Sequence, residues 1–66
     1  MNTVLKNRIK VFRAERGISQ TGLAKAIGVS RKTISTIEVG RFTPSTVIAL
    51  KLAQYFNVPV EDLFSL

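Results

Sequence analysis

Arg31, Lys32, Ser35 and Thr36 bring together the groups that recognise a polar, negatively charged surface. Arginine and lysine donate to guanine O6 and N7, hydroxyls donate or accept, and a threonine methyl can touch the methyl of thymine. On a helix turning about 100° per residue, Lys32, Ser35, Thr36 and Val39 fall opposite Ile34 and Ile37, with Arg31 beside them. A plain solvated face would also satisfy this pattern, so the four residues alone leave both readings open. Other chemistries lack their parts. The chain has no Cys and no His, which excludes disulfides, thiolate zinc sites and His ligation, and no metal or cofactor is expected. The adjacent carboxylates Glu61 and Asp62 sit where they charge the first turn of a last helix. No glycine-rich loop follows a strand, so an enzyme is not expected.

Composition narrows the partner. Sixty-six residues make one domain, 1–66, with a modest core. Apolar residues make up 45% of the chain, the mark of a folded protein rather than a disordered tail. Ten Lys and Arg against four Asp and Glu give a formal charge of +6. That excess favours nucleic acid or anionic lipid. The opening MNTVLKNRIK lacks the continuous apolar stretch of a signal peptide, and no run approaches a membrane span of roughly 18 residues. A cytoplasmic location, without membrane, is expected.

Five helices must position the four residues, and the chain is read as all-α. Leu5, Ile9 and Phe12 recur at i, i+4 and i+7, which predicts a first helix from about Thr3 or Val4 to Arg16, stopped by Gly17. Ser19 is placed to cap a second helix, about Gln20 to Ile27, that buries Leu23, Ala24 and Ile27 and ends at Gly28. Gly22, inside it, should cost about 1 kcal/mol relative to Ala. Ser30 caps a third helix, about Arg31 to Val39, closed by Gly40. After the loop Arg41-Phe42-Thr43, Pro44 suits the opening turn of a fourth helix, about Ser45 to Phe56, burying Ile48, Leu52 and Phe56. Asn57 and Pro59 separate it from a short fifth, Val60 to Phe64.

The run S-Q-x-x-L-A-x-x-I-G-V-S-x-x-T-I-S-x-I-E-x-G, from Ser19 to Gly40, holds two helices joined by a tight glycine turn, a helix-turn-helix at about 19–39. Ala24 permits close crossing, Gly28 takes the turn, and Val29, Ile34 and Ile37 fill the angle. The stretch from Arg8 to Phe64 resembles the Cro and lambda-repressor-like (XRE) helix-turn-helix family, which has a compact five-helix fold. The resemblance implies a DNA-binding transcriptional regulator, expected to be a repressor, reading a palindromic operator with helix 3 in the major groove. It assigns base reading to Arg31, Lys32, Ser35 and Thr36. It assigns phosphate contact to Gln20, Ser30 and Arg41, with the amides of Phe42 and Thr43. It also implies a partly buried salt bridge between Arg13 and Glu38 that orients helix 3. For Ser19 and Ser30, capping is an equally good account of the hydroxyl. Val39 departs from the Asn common before this glycine, and Gly22 from a more usual helix former.

Helix 4 carries more apolar residues than one face needs. Val47 and Leu50 point outward, Tyr55 lies on the border, and Val58 and Leu66 follow, whereas Leu63 and Phe64 are expected to cap the core. Such a patch suits a homodimer interface that would set two recognition helices about 34 Å apart. Scattered surface residues are the plainer alternative. The same fold could also serve an antitoxin or another protein-interaction module, since fold does not fix function.

Overall fold

Ser19, Ser30 and Ser45 each open a helix in the same way. Each has extended backbone angles, and its hydroxyl accepts from the amide three residues on, that of Gly22, Thr33 and Ile48 respectively. Each satisfies one donor that a helix N-terminus leaves without a partner. The computed structural model describes residues 5–66. In order its elements are β1 (Lys6–Asn7), α1 (Ile9–Arg16), α2 (Gln20–Ile27), α3 (Arg31–Glu38), α4 (Thr46–Phe56), α5 (Val60–Leu63) and β2 (Phe64–Ser65). Five helices stand in the expected order, with α2 packed against α3.

The core draws on every helix: Ile9 and Phe12, Leu23, Ala24 and Ile27, Ile34 and Ile37, Leu52, Ala53 and Phe56, then Leu63, with Phe64 from β2. Among the described residues the buried set is wholly apolar. Phe12 and Phe56 meet at 5.5 Å between ring centroids. Arg16 closes this aromatic pair from outside. Its guanidinium lies 5.2 Å from the Phe12 ring and 5.1 Å from that of Phe56, and it donates to the Phe56 carbonyl at 2.9 Å.

The chain ends depart from the all-helical expectation. The first helix begins at Ile9, and the expected start at Thr3 or Val4 lies outside the described residues. Lys6 and Asn7 instead pair antiparallel with Ser65 and Phe64, and the Arg8 amide continues the ladder to the Leu63 carbonyl at 2.8 Å. Leu5 packs on the core from outside the helix, and Phe64 belongs to the strand. A two-residue strand has too few positions to show alternation, and its partner lies at the far end of the sequence. Two boundaries also shift by a residue or so. Val39 is the C-cap of α3, with Gly40 just beyond it at φ 83°. Ser45 caps α4, which puts Pro44 before the helix rather than in its first turn.

Gly22 has a local reason. A Cβ there would lie 3.1 Å from Ile18 Cγ1 and 3.2 Å from Ser19 Oγ, the capping atom. The bare glycine leaves room for the cap and for Ile18, which packs against the core.

Candidate nucleic-acid interface

The turn between α2 and α3 fixes how the second helix leaves the first. Gly28 is left-handed at φ 77°, a conformation costly for residues with a side chain. The Val29 amide then returns to the Ala24 carbonyl at 2.9 Å. Ile34 and Ile37 are buried beneath α3, whose outer side carries Arg31 and Lys32, both exposed, and Ser35 and Thr36, both half-buried.

A chain of hydrogen bonds runs from α1 to this outer side. Arg13 Nε donates to Glu38 Oε2 at 2.7 Å and Nη2 to Oε1 at 3.1 Å, while Nη1 holds the Ile18 carbonyl at 3.1 Å. The side chains of Arg13 and Glu38 are only 15% and 6% exposed. Hydrogen bonding to Glu38 raises the Arg13 pKa; burial opposes the rise and Coulombic attraction to Glu38 supports it. Gln20 Nε2 donates to Glu38 Oε1 at 3.2 Å, and Gln20 Oε1 accepts from Arg31 Nη1 at 3.4 Å. Gln20 thus lies between the ion pair and the first residue of α3.

Ser30 Oγ accepts the Thr33 amide and pairs with Thr33 Oγ1 at 2.9 Å. Thr36 Oγ1 turns back onto the helix, within 2.8 Å of the Lys32 carbonyl and 3.1 Å of that of Thr33. Arg41 is exposed, but its amide is engaged by the Thr36 carbonyl at 3.0 Å. The amides of Phe42 and Thr43 make no hydrogen bond to another described residue, so they can receive an external acceptor.

Asn7 was not legible as part of this arrangement. Its Nδ2 donates to the carbonyls of Ile37 at 3.0 Å and Glu38 at 3.4 Å, and its Oδ1 accepts the Ile9 amide at 3.2 Å. It therefore ties the end of α3 to the start of α1. The sequence reading ran the first helix through Asn7, so its place before α1 emerged only with the structure.

Along α4 and at the chain end, Val47, Leu50 and Leu66 are exposed, and Tyr55 is 39% exposed. Val58 is half-buried against the core and shares a shallow groove with Leu50. Tyr55 borders a different groove, beside Ala26 and Lys51. Leu50 and Val58 thus share one depression and Tyr55 borders its neighbour, while Val47 and Leu66 line neither.

A model of the HTH_3 helix-turn-helix family matches residues 9–63. The chain belongs to that family. It is a Cro/C1-type (XRE) helix-turn-helix DNA-binding transcriptional regulator, in a family of regulators rather than enzymes. It is similar to an uncharacterised HTH-type transcriptional regulator of Methanocaldococcus jannaschii, 47% identical over 60 residues that cover 91% of each chain. The cryptic phage CTXphi transcriptional repressor RstR of Vibrio cholerae is 32% identical over 94% of this chain and 56% of its own. Among solved structures, the restriction-modification controller protein of Aeromonas hydrophila superposes with a TM-score of 0.76 at 30% identity, covering 82% of both chains. Among the described residues of this helix-turn-helix regulator, no helix is long and apolar enough to cross a membrane.

Proposed function

We propose that this regulator is a cytoplasmic repressor that binds a two-fold-symmetric operator as a homodimer, with α3 in the major groove. The observation that carries the reading is the exposed cationic start of α3, Arg31 and Lys32, on a helix clamped from behind by the Arg13–Glu38 pair. Residues near the start of a recognition helix reach base edges. Arg31 and Lys32 suit guanine, and Ser35 and Thr36 complete the reading surface. Gln20, Ser30 and Arg41, with the amides of Phe42 and Thr43, bind phosphates and set the register, whereas α3 supplies the sequence preference. Repression is supported by the likeness to the Vibrio cholerae repressor. Val47, Leu50, Val58 and Leu66, with Tyr55 at the edge, form the two-fold contact.

Selection of bound duplexes from a random pool tests the reading. The expected product is a short symmetric site, with preference relaxed at one position per half-site in Arg31→Ala and at another in Thr36→Ala. Wild-type preference in both variants would overturn it.

A further inference from the structure

Phe42 stands out on the face assigned to DNA. It is 46% exposed, in a loop between Arg41 and Thr43, and it lines an open groove together with Ser30, Lys32, Thr33 and Thr36, while also bordering a second depression beside Ile37 and Phe64. The hydroxyls along that groove are already engaged. Thr36 Oγ1 faces the carbonyls of Lys32 and Thr33, and Thr33 Oγ1 pairs with Ser30 Oγ. Turning its hydroxyl onto the backbone leaves Thr36 its methyl as the group to offer outward. A phenylalanine and a threonine with its hydroxyl engaged, in one groove beside a lysine and on a chain of formal charge +6, make an apolar notch on a surface suited to polyanions.

From this geometry we infer that Phe42 and Thr36 together recognise the 5-methyl group of a thymine in the operator. Duplex DNA presents one apolar group of this size in its major groove, and it distinguishes thymine from cytosine and from uracil. Phe42 is thereby a specificity-determining residue through its side chain, in addition to any phosphate contact by its amide. The hydroxyl of Thr36 serves the helix, and its methyl serves recognition.

This inference rests on the proposal that α3 enters the major groove, and the experiment separates the two. Each thymine of the selected operator is replaced in turn by deoxyuridine, which removes the methyl and keeps the base pair. With wild-type protein, one position per half-site should lose about threefold to fourfold in affinity, the weight of one methyl group returned to water. The loss should shrink to nearly nothing in Phe42→Ala and in Thr36→Ser, while Thr36→Val, which retains the methyl, keeps the discrimination. The replacement is made in the DNA, so the first result is independent of any variant's folding. An operator that depends on Arg31 but has no position sensitive to deoxyuridine would overturn the methyl reading and leave groove binding standing. An operator preference indifferent to both Arg31→Ala and Thr36→Ala would overturn both.

Discussion

Glu38 receives three donors from two residues: Arg13 Nε and Nη2, and Gln20 Nε2. With the carboxylate only 6% exposed, removing it leaves a guanidinium half-buried and without its counter-charge. Breaking such a pair is costly because the remaining charge has lost both water and partner. Glu38→Ala should therefore lower unfolding free energy by about 3 kcal/mol, read by urea denaturation at pH 7. Gln20→Ala should cost less, about 1 kcal/mol, since the ion pair survives it. A Glu38→Ala loss within the roughly 0.5 kcal/mol of ordinary surface changes would contradict this account. Gly22→Ala sets two effects against each other. Helix propensity favours Ala by about 1 kcal/mol, and crowding at 3.1 Å from Ile18 Cγ1 opposes it. We expect a net gain smaller than the propensity term, because an isoleucine side chain can move a few tenths of an ångström. The family resemblance named Arg13 and Glu38 as a pair. Nothing in the sequence placed Gln20 between Glu38 and Arg31, because that contact depends on how α2 and α3 cross.

The helices themselves were legible because their ends are marked locally. Serine caps and a left-handed residue at the close are properties of four or five neighbouring residues. The pairing of β1 with β2 is different, joining residues nearly sixty positions apart through two-residue segments. Its consequence for α3 comes through Asn7, which holds the last carbonyls of that helix and the first amide of α1. Asn7→Ala leaves these partly buried groups without a partner, so it should cost about 1–3 kcal/mol of stability in thermal or chemical unfolding. A change indistinguishable from wild type would mean that water replaces the amide at no cost. Asn7→Asp is the sharper variant, since a carboxylate can still accept the Ile9 amide but cannot donate to the carbonyls of α3. It should be at least as destabilising as Asn7→Ala.

Charge and association belong to the whole molecule. A formal +6 on 66 residues gives binding a large salt-dependent component, because each phosphate neutralised releases counterions. Arg41 is exposed and lies outside α3. Arg41→Ala should weaken all duplexes alike and reduce the slope of log K against log salt by about one, measured across a salt titration. A change in sequence preference instead would assign Arg41 to base reading. Association is tested by sedimentation at micromolar concentration, where the wild type is expected as a dimer and Leu50→Glu as a monomer. Leu50 is 48% exposed and lines the groove it shares with Val58, so a charge there disrupts a contact between copies more than the core. A monomeric wild type would argue against the proposed interface in free protein.

The sequence by itself determined the number and order of the helices, though not where the first begins, together with the glycine turn at Gly28 and the side of α3 left open, because most caps, periodicity and left-handed positions are local. It also determined the chemistry on offer, since a chain with no Cys or His and a surplus of Lys and Arg can bind polyanions but has few means of catalysis. Tertiary structure decided which polar groups remain available. It turned the Thr36 hydroxyl onto its own helix in a groove shared with Phe42, placed Gln20 between Glu38 and Arg31, and brought Asn7 to the end of α3. Those outcomes depend on rotamers and on contacts between distant segments. The free face of α3 could be found by counting residues, but its chemistry was set only when the helices packed.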